Sequence, residues 1–295
     1  MIISNLNIVN SIKQQSVLPI RYPIPATIYV MGAGGAGGNT SGPDKAGGGG
    51  GAGANVSSSI LLTPNITHTI VVGNAVSSSN GETSNFFGYD GGDGYNRPVT
   101  ISAQGGRQGV SATVANEGGA GGNSGSGSII FPEVVINYPA FTGGSPVTIL
   151  PSRQAGGGGA AATGNGGNAS SGGPGAIGGN GASGSAFPTV SLGISGGGGG
   201  GGANTNAGMT PGNGGLSRGL GSGGQGADGV TGGELGDVGG AGSIVVLIDV
   251  TDNFDVTTSN VAAQGILSGT TYFYRFNTGT GTIRFTRPFP YNPQP

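Results

Sequence analysis

The sequence predicts a mostly β protein with very little helix, built from packed polyglycine II helices in a layered bundle flanked by short antiparallel β-strands. Three observations lead there. Of 295 residues, 71 are Gly and only 7% are charged, whereas an ordinary globular chain carries about 7% Gly and about 25% charged residues. The glycine blocks repeat with a period of three, through Gly166, Ala169, Gly172, Gly175, Gly178, Gly181 and Gly184, and three residues per turn is the polyproline II repeat. The segments between the blocks are short and β-branched, and none has an apolar period of 3.6 residues. Collagen is excluded by phase slips, such as Gly232 to Gly233, and by the lack of regular proline in the triplets. The alternative is a set of disordered glycine linkers between small β-modules.

In chain order, residues 1–25 read as an N-terminal docking segment ending in Pro19, Pro23 and Pro25. A glycine-rich domain over 26–250 opens with the strand Thr27–Met31, which runs into Gly32–Gly38. Ser59–Leu62 and Ile66–Val72 read as strands on either side of Pro64-Asn65, and a two-residue period puts Ile66, His68, Ile70 and Val72 on one face. Val99–Ala103 is a further strand. An insert at about 128–155 holds Ile129-Ile130-Phe131 and Val134-Val135-Ile136. Glycine then dominates to residue 242, broken by Phe187–Ile194, and the chain recovers a strand at Ser243–Val250. In the tail, 251–295, Thr271–Phe276 and Thr282–Thr286 flank Asn277-Thr278-Gly279-Thr280-Gly281, a hairpin signal.

Composition narrows function. A formal net charge of -2 with 10 scattered basic residues gives no nucleic-acid footprint. The absence of Cys excludes disulfides and thiolate metal sites. No signal-peptide pattern opens the chain, and its longest apolar run, Ile244–Ile248, is far below the ~20 residues of a membrane helix. The protein is expected to be made in the cytoplasm, with no membrane insertion. His68, the only histidine, reads as a packed core residue, because nothing marks the carboxylate and nucleophile that a triad needs. No acidic pair has glycosidase character. Gly-x-Gly-x-x-Gly matches are uninformative at this glycine content. Gly223–Thr231 fits a calcium-binding nonapeptide, but the next nine residues break the pattern. No enzyme activity, cofactor or metal is expected.

Residues 27–38, the block Gly47–Ala54, the stretch Leu62–Gly73, Gly81–Phe86, Ile101–Gly106 and the closing Gly239–Ile248 resemble, in that order, the glycine-rich domain of bacteriophage tail-fibre and tail-tip proteins. Tyr274–Phe285 is similar to a hairpin met beside such domains. The resemblance implies a virion location and, in some members, host recognition through loops that link polyglycine II helices. Its expected partners are other virion proteins, copies of itself (trimers are common among phage fibres) and a host surface glycan or outer-membrane protein. A purely architectural role, decorating a capsid or forming a filament, is the competing reading. Aromatic and arginine side chains dominate interface energies, so Tyr89, Tyr95 and Arg97 in one loop, and Phe131, Tyr138 and Phe141 in the insert, are the receptor-binding candidates. The plainer alternative is that these aromatics fill small cores that glycine cannot.

Overall fold

The computed structural model describes residues 23–42, 45–92, 94–114, 117–149, 153–161, 163–172, 175–183, 197–202, 220–228, 234–249 and 254–286. The expected docking segment, up to residue 22, and the segment Phe187–Ile194 lie outside the described residues.

Alternating apolar residues build the strands that hold the core. β1 (Ile24–Met31) points Ile24, Ala26, Ile28 and Val30 inward. It lies between β3 (Asn55–Leu62) and β14 (Ser243–Asp249), antiparallel to both. β14 pairs on its other side with β17 (Thr271–Phe276), which pairs with β16 (Ala263–Ser268). These five strands form one layer. The second runs β15 (Asp255–Ser259), β18 (Gly279–Thr286), β4 (Thr67–Val72), β5 (Ser84–Asp90), β6 (Arg97–Ala103), β8 (Gly127–Ile130), β9 (Val135–Tyr138), again all antiparallel. The layers join at one corner, where Leu62 of β3 pairs with Asp90 of β5. Their inner faces meet in one core, in which Ile28, Val246 and Phe276 pack with Ile70, Phe86, Ile101, Ile283 and Phe285. β14 is a nearly continuous apolar run because both its faces are covered. Val245 and Leu247, on its outer side, pack with Met31, Tyr29, Leu220, Leu267 and Phe273.

β17 and β18 do not form the expected hairpin. Both edges of β17 are taken by β14 and β16, and both edges of β18 by β15 and β4. The Asn277-Thr278 connection instead carries the chain from one layer to the other. This brings the Tyr274 and Phe285 rings to 6.3 Å, edge to face across the core. The hairpin in this region is β16–β17, turning at Gly269, whose φ of 55° suits glycine.

The strands enter and leave the glycine runs at one end of the layers. Met31 pairs with Asn55 and Ser243, and Ala103 with Ser84 and Gly127. Beyond these positions the runs lie side by side. In the run 47–54 every amide finds a carbonyl. Gly47, Gly50 and Gly53 donate to Ala227, Gly224 and Gly221; Gly48, Gly51 and Ala54 donate to Val110, Arg107 and Gln104; Gly49 and Ala52 donate to Gly157 and Ala160. The partners in this run thus change with a period of three, although the run itself, five glycines followed by Ala-Gly-Ala, has no such period in its sequence. Side chains are excluded for the same reason: a Cβ on Gly37 would overlap the carbonyl of Gln225, and one on Gly50 the carbonyl of Gly35. At the opposite end β2 (Lys45–Ala46) pairs in parallel with β7 (Glu117–Gly118), whereas β10 (Val147–Ile149) pairs antiparallel with β11 (Arg153–Ala155) and β12 (Ser170–Gly172) antiparallel with β13 (Gly175–Ile177).

This architecture corrects the expected fold class. The described residues contain no helix, no bundle of polyglycine II helices is present, and the fold is a mostly antiparallel β-sheet. The glycine runs are non-helical connections between strands. Their buried amides are met by carbonyls of neighbouring runs, as burial demands, and the sheet that each run leaves and re-enters fixes their alignment.

Candidate interaction surface

The end of the sheet farthest from the glycine runs carries the best-defined side-chain constellation. Its frame is the corner between the layers. The Asp90 carboxylate accepts the Leu61 amide at 3.0 Å, the Gly91 amide donates to the Leu61 carbonyl at 2.7 Å, and the Thr63 amide donates to Tyr89 at 3.1 Å. From this frame the β5–β6 turn projects. Gly94 occupies a left-handed conformation, φ 83°, and its amide closes back on the Gly91 carbonyl. Tyr95, at the tip, is 63% exposed. Arg97 begins β6, and its guanidinium reaches the Glu133 carboxylate at 3.4 Å. Both partners are exposed, so the pair contributes about 0–1 kcal/mol to stability. Its consequence is positional, because it ties the β5–β6 turn to the β8–β9 turn at Phe131–Val134.

The structure therefore gathers four of the six candidate residues at one end. Tyr89 is exposed on β5, opposite Pro98 and one residue before the Asp90–Arg97 pair, while Arg97 reaches the turn that starts at Phe131. Phe131 is half-buried against the core, as is Tyr138. Tyr138 pairs with Gly127 near the glycine runs, away from Tyr95. Phe141 is half-buried and bonded through its backbone, its amide donating to Ser124 Oγ at 2.8 Å and its carbonyl accepting from the Ser124 amide. Tyr138 and Phe141 are thus tied into the scaffold, and the exposed aromatics among the candidates are Tyr89 and Tyr95.

Sequence reasoning missed the groove beside this turn. About 490 Å³ in volume, it runs along the outer face of the five-stranded layer. Pro25, Leu61 and Leu247 supply its apolar walls, Thr27, Ser59 and Thr271 its hydroxyls, and Asp90 and Asp249 two carboxylates. No sequence pattern announces it, because its lining comes from five separate strands and a turn. Its lining is mostly apolar, and its polar groups are engaged within the protein, Thr27 with Ser59, Asp90 with the Leu61 amide and Asp249 with Thr270. No cluster of His, Asp or Glu suited to a metal ion occurs among the described residues. His68 is fully buried beneath β4, stacked on Phe86 at 5.9 Å, with neither ring nitrogen hydrogen-bonded. Desolvation pushes its pKa down to about 4, against a weaker upward pull from the Thr63 backbone. It packs as a core residue between the Phe86 and Phe285 rings.

A second exposed surface lies at the far end of the glycine runs. Thr40 bridges to Ala112, and its hydroxyl accepts the Glu234 amide. Lys45 Nζ is held there by the Thr113 carbonyl at 2.6 Å. Val114 and Leu235 stand exposed on the flanking turns.

A family model described as a glycine-rich domain matches residues 18–249. No curated protein matches the chain.

Proposed function

The chain belongs to the glycine-rich domain family, and from that premise we propose that it is a non-enzymatic structural protein of a bacteriophage virion, a tail-fibre or tail-tip appendage that presents loops to the host surface. The observation that carries this reading is the Tyr95–Arg97 turn. An exposed tyrosine and an arginine stand on a tight, backbone-bonded corner, anchored to Glu133 and bordered by a hydroxyl- and carboxylate-lined groove. Aromatic faces and planar guanidinium groups stack on sugar rings and pair with their polar substituents, so a surface glycan fits the chemistry. The scaffold favours the same role: dense main-chain hydrogen bonding holds the glycine runs, and the sheet that they adjoin carries the turn at its opposite end without disulfides. The resemblance to tail-fibre domains supplies the virion setting.

Immunogold electron microscopy of native particles, with antibody raised against the recombinant protein, tests this. Gold is expected at a tail tip or fibre end. Particles that carry no gold overturn the virion reading. On cells that the particles infect, Tyr95→Ala and Arg97→Ala are expected to abolish binding with folding intact, and unchanged binding by both rejects this turn as the attachment surface. A second reading, a purely architectural subunit, is favoured by the apolar β9 edge. Gold spread over a capsid or along a filament selects it.

A further inference from the structure

Strand β9 pairs with β8 on one side and with nothing on the other among the described residues. Its direction of hydrogen bonding is fixed by the turn. Phe131 and Val134 exchange both main-chain bonds across Pro132-Glu133, so the alternation of an antiparallel ladder turns Ile136 and Tyr138 toward β8 and leaves the N–H and C=O groups of Val135 and Asn137 directed outward. Side chains alternate with the same period. Val134, Ile136 and Tyr138 lie on the inner face with buried Ile129, yet Val134 and Ile136 are 53% and 43% exposed. On the other face Val135 is 57% exposed. Other edges of the sheet are blunted: β16 carries a register shift at Ile266/Ser268, and β15 begins with Asp255.

We propose that this edge pairs with the same edge of a second copy of the chain, antiparallel, about a two-fold axis through Ile136. That register sets the outward groups of Val135 against those of Asn137 of the other copy, giving four main-chain hydrogen bonds. It also places Ile136 against its own counterpart and Val134 against Tyr138 in both directions. The inner-face seam is then wholly apolar, with aromatic–aliphatic pairs of the kind that stabilise sheets. No like charges meet, because Glu133 falls opposite Pro139. Pro139, without an N–H, ends the pairing on one side, and the acidic turn ends it on the other. So short a seam falls below the area of a permanent interface, and the dimer is concentration-dependent.

The absence of native cysteine permits a clean test on the full chain. At a non-hydrogen-bonded antiparallel pair the Cα atoms lie about 4.5 Å apart, within disulfide reach. Under mild oxidation Ile136→Cys is expected to convert to a covalent dimer. Val135→Cys is not, since its own counterpart is two residues out of register and beyond the ~7 Å limit. In sedimentation velocity over a concentration series, the unmodified chain is expected to shift toward double mass, and Ile136→Lys to remain at single mass with an unchanged melting temperature. A chain that stays monomeric throughout, or equal cross-linking by both cysteine variants, overturns the proposal.

Discussion

Among the described residues, the hydrophobic core encloses an imidazole that water would charge, and that makes stability depend on pH in a calculable way. His68 is the only histidine of the chain. Burial lowers its pKa from 6.5 to about 4, the Thr63 backbone offsetting this slightly. An unfolded chain therefore takes up a proton between pH 6.5 and pH 4 that the folded chain refuses. Stability is complete above pH 6.5 and falls as the pH drops toward 4. Proton uptake integrated from pH 7 to pH 5 amounts to a loss of about 2 kcal/mol, and the limiting loss is about 3 kcal/mol. Ordinary carboxylates take up few protons above pH 5, and no thiol is present, so this window isolates the imidazole. Urea unfolding at pH 7, 6 and 5 measures it as a falling midpoint at constant slope. His68→Leu keeps an apolar side chain against Phe86 and removes two buried nitrogens that lack partners. It is expected to be at least as stable at pH 7 and to unfold at the same midpoint at pH 5. A fall of equal size in the variant would refute the reasoning, and so would a flat profile in the parent protein.

Three further predictions concern the scaffold. Gly50→Ala, which forces a Cβ into the Gly35 carbonyl, is expected to destabilise by about 3 kcal/mol or more, whereas Gly164→Ala, with open space around its Cβ, stays within about 0.5 kcal/mol in the same unfolding assay. Phe285→Ala removes a fully buried ring that meets Phe254 at 5.6 Å and Tyr274 at 6.3 Å, so thermal unfolding should register a loss of about 3–5 kcal/mol. Glu133→Gln breaks only an exposed ion pair, and its unfolding free energy should shift by less than about 1 kcal/mol.

Much of this was written in local sequence. β-branched runs marked β1, β4, β6 and β14 to within a few residues, and the two-residue period placed His68, Ile70 and Val72 on one buried face, whereas Ile66, expected there too, precedes β4 and is half-buried. Both properties depend only on neighbours in the chain. The density of glycine was equally legible, since a Cβ at positions such as Gly37 or Gly50 would strike a neighbouring carbonyl, but the period of three at Gly166–Gly184 pointed to a helical bundle that the fold does not contain. Which carbonyls those amides meet was not legible: Gly50 and Gly224, Gly49 and Gly157 are joined by folding alone. The layers, too, were decided at long range. Asn277-Thr278-Gly279 has hairpin chemistry, but the competition of β14, β16, β15 and β4 for the edges of β17 and β18 turned it into a crossing between layers. Among the recognition candidates, residue type alone selected six positions, and packing separated them. Tyr138 and Phe141 were drawn into the scaffold, while Tyr89 and Tyr95 stayed in water and Arg97 met Glu133 across 36 residues of chain. Exposure and juxtaposition are properties of the folded surface, and a linear pattern rich in glycine carries almost no record of them.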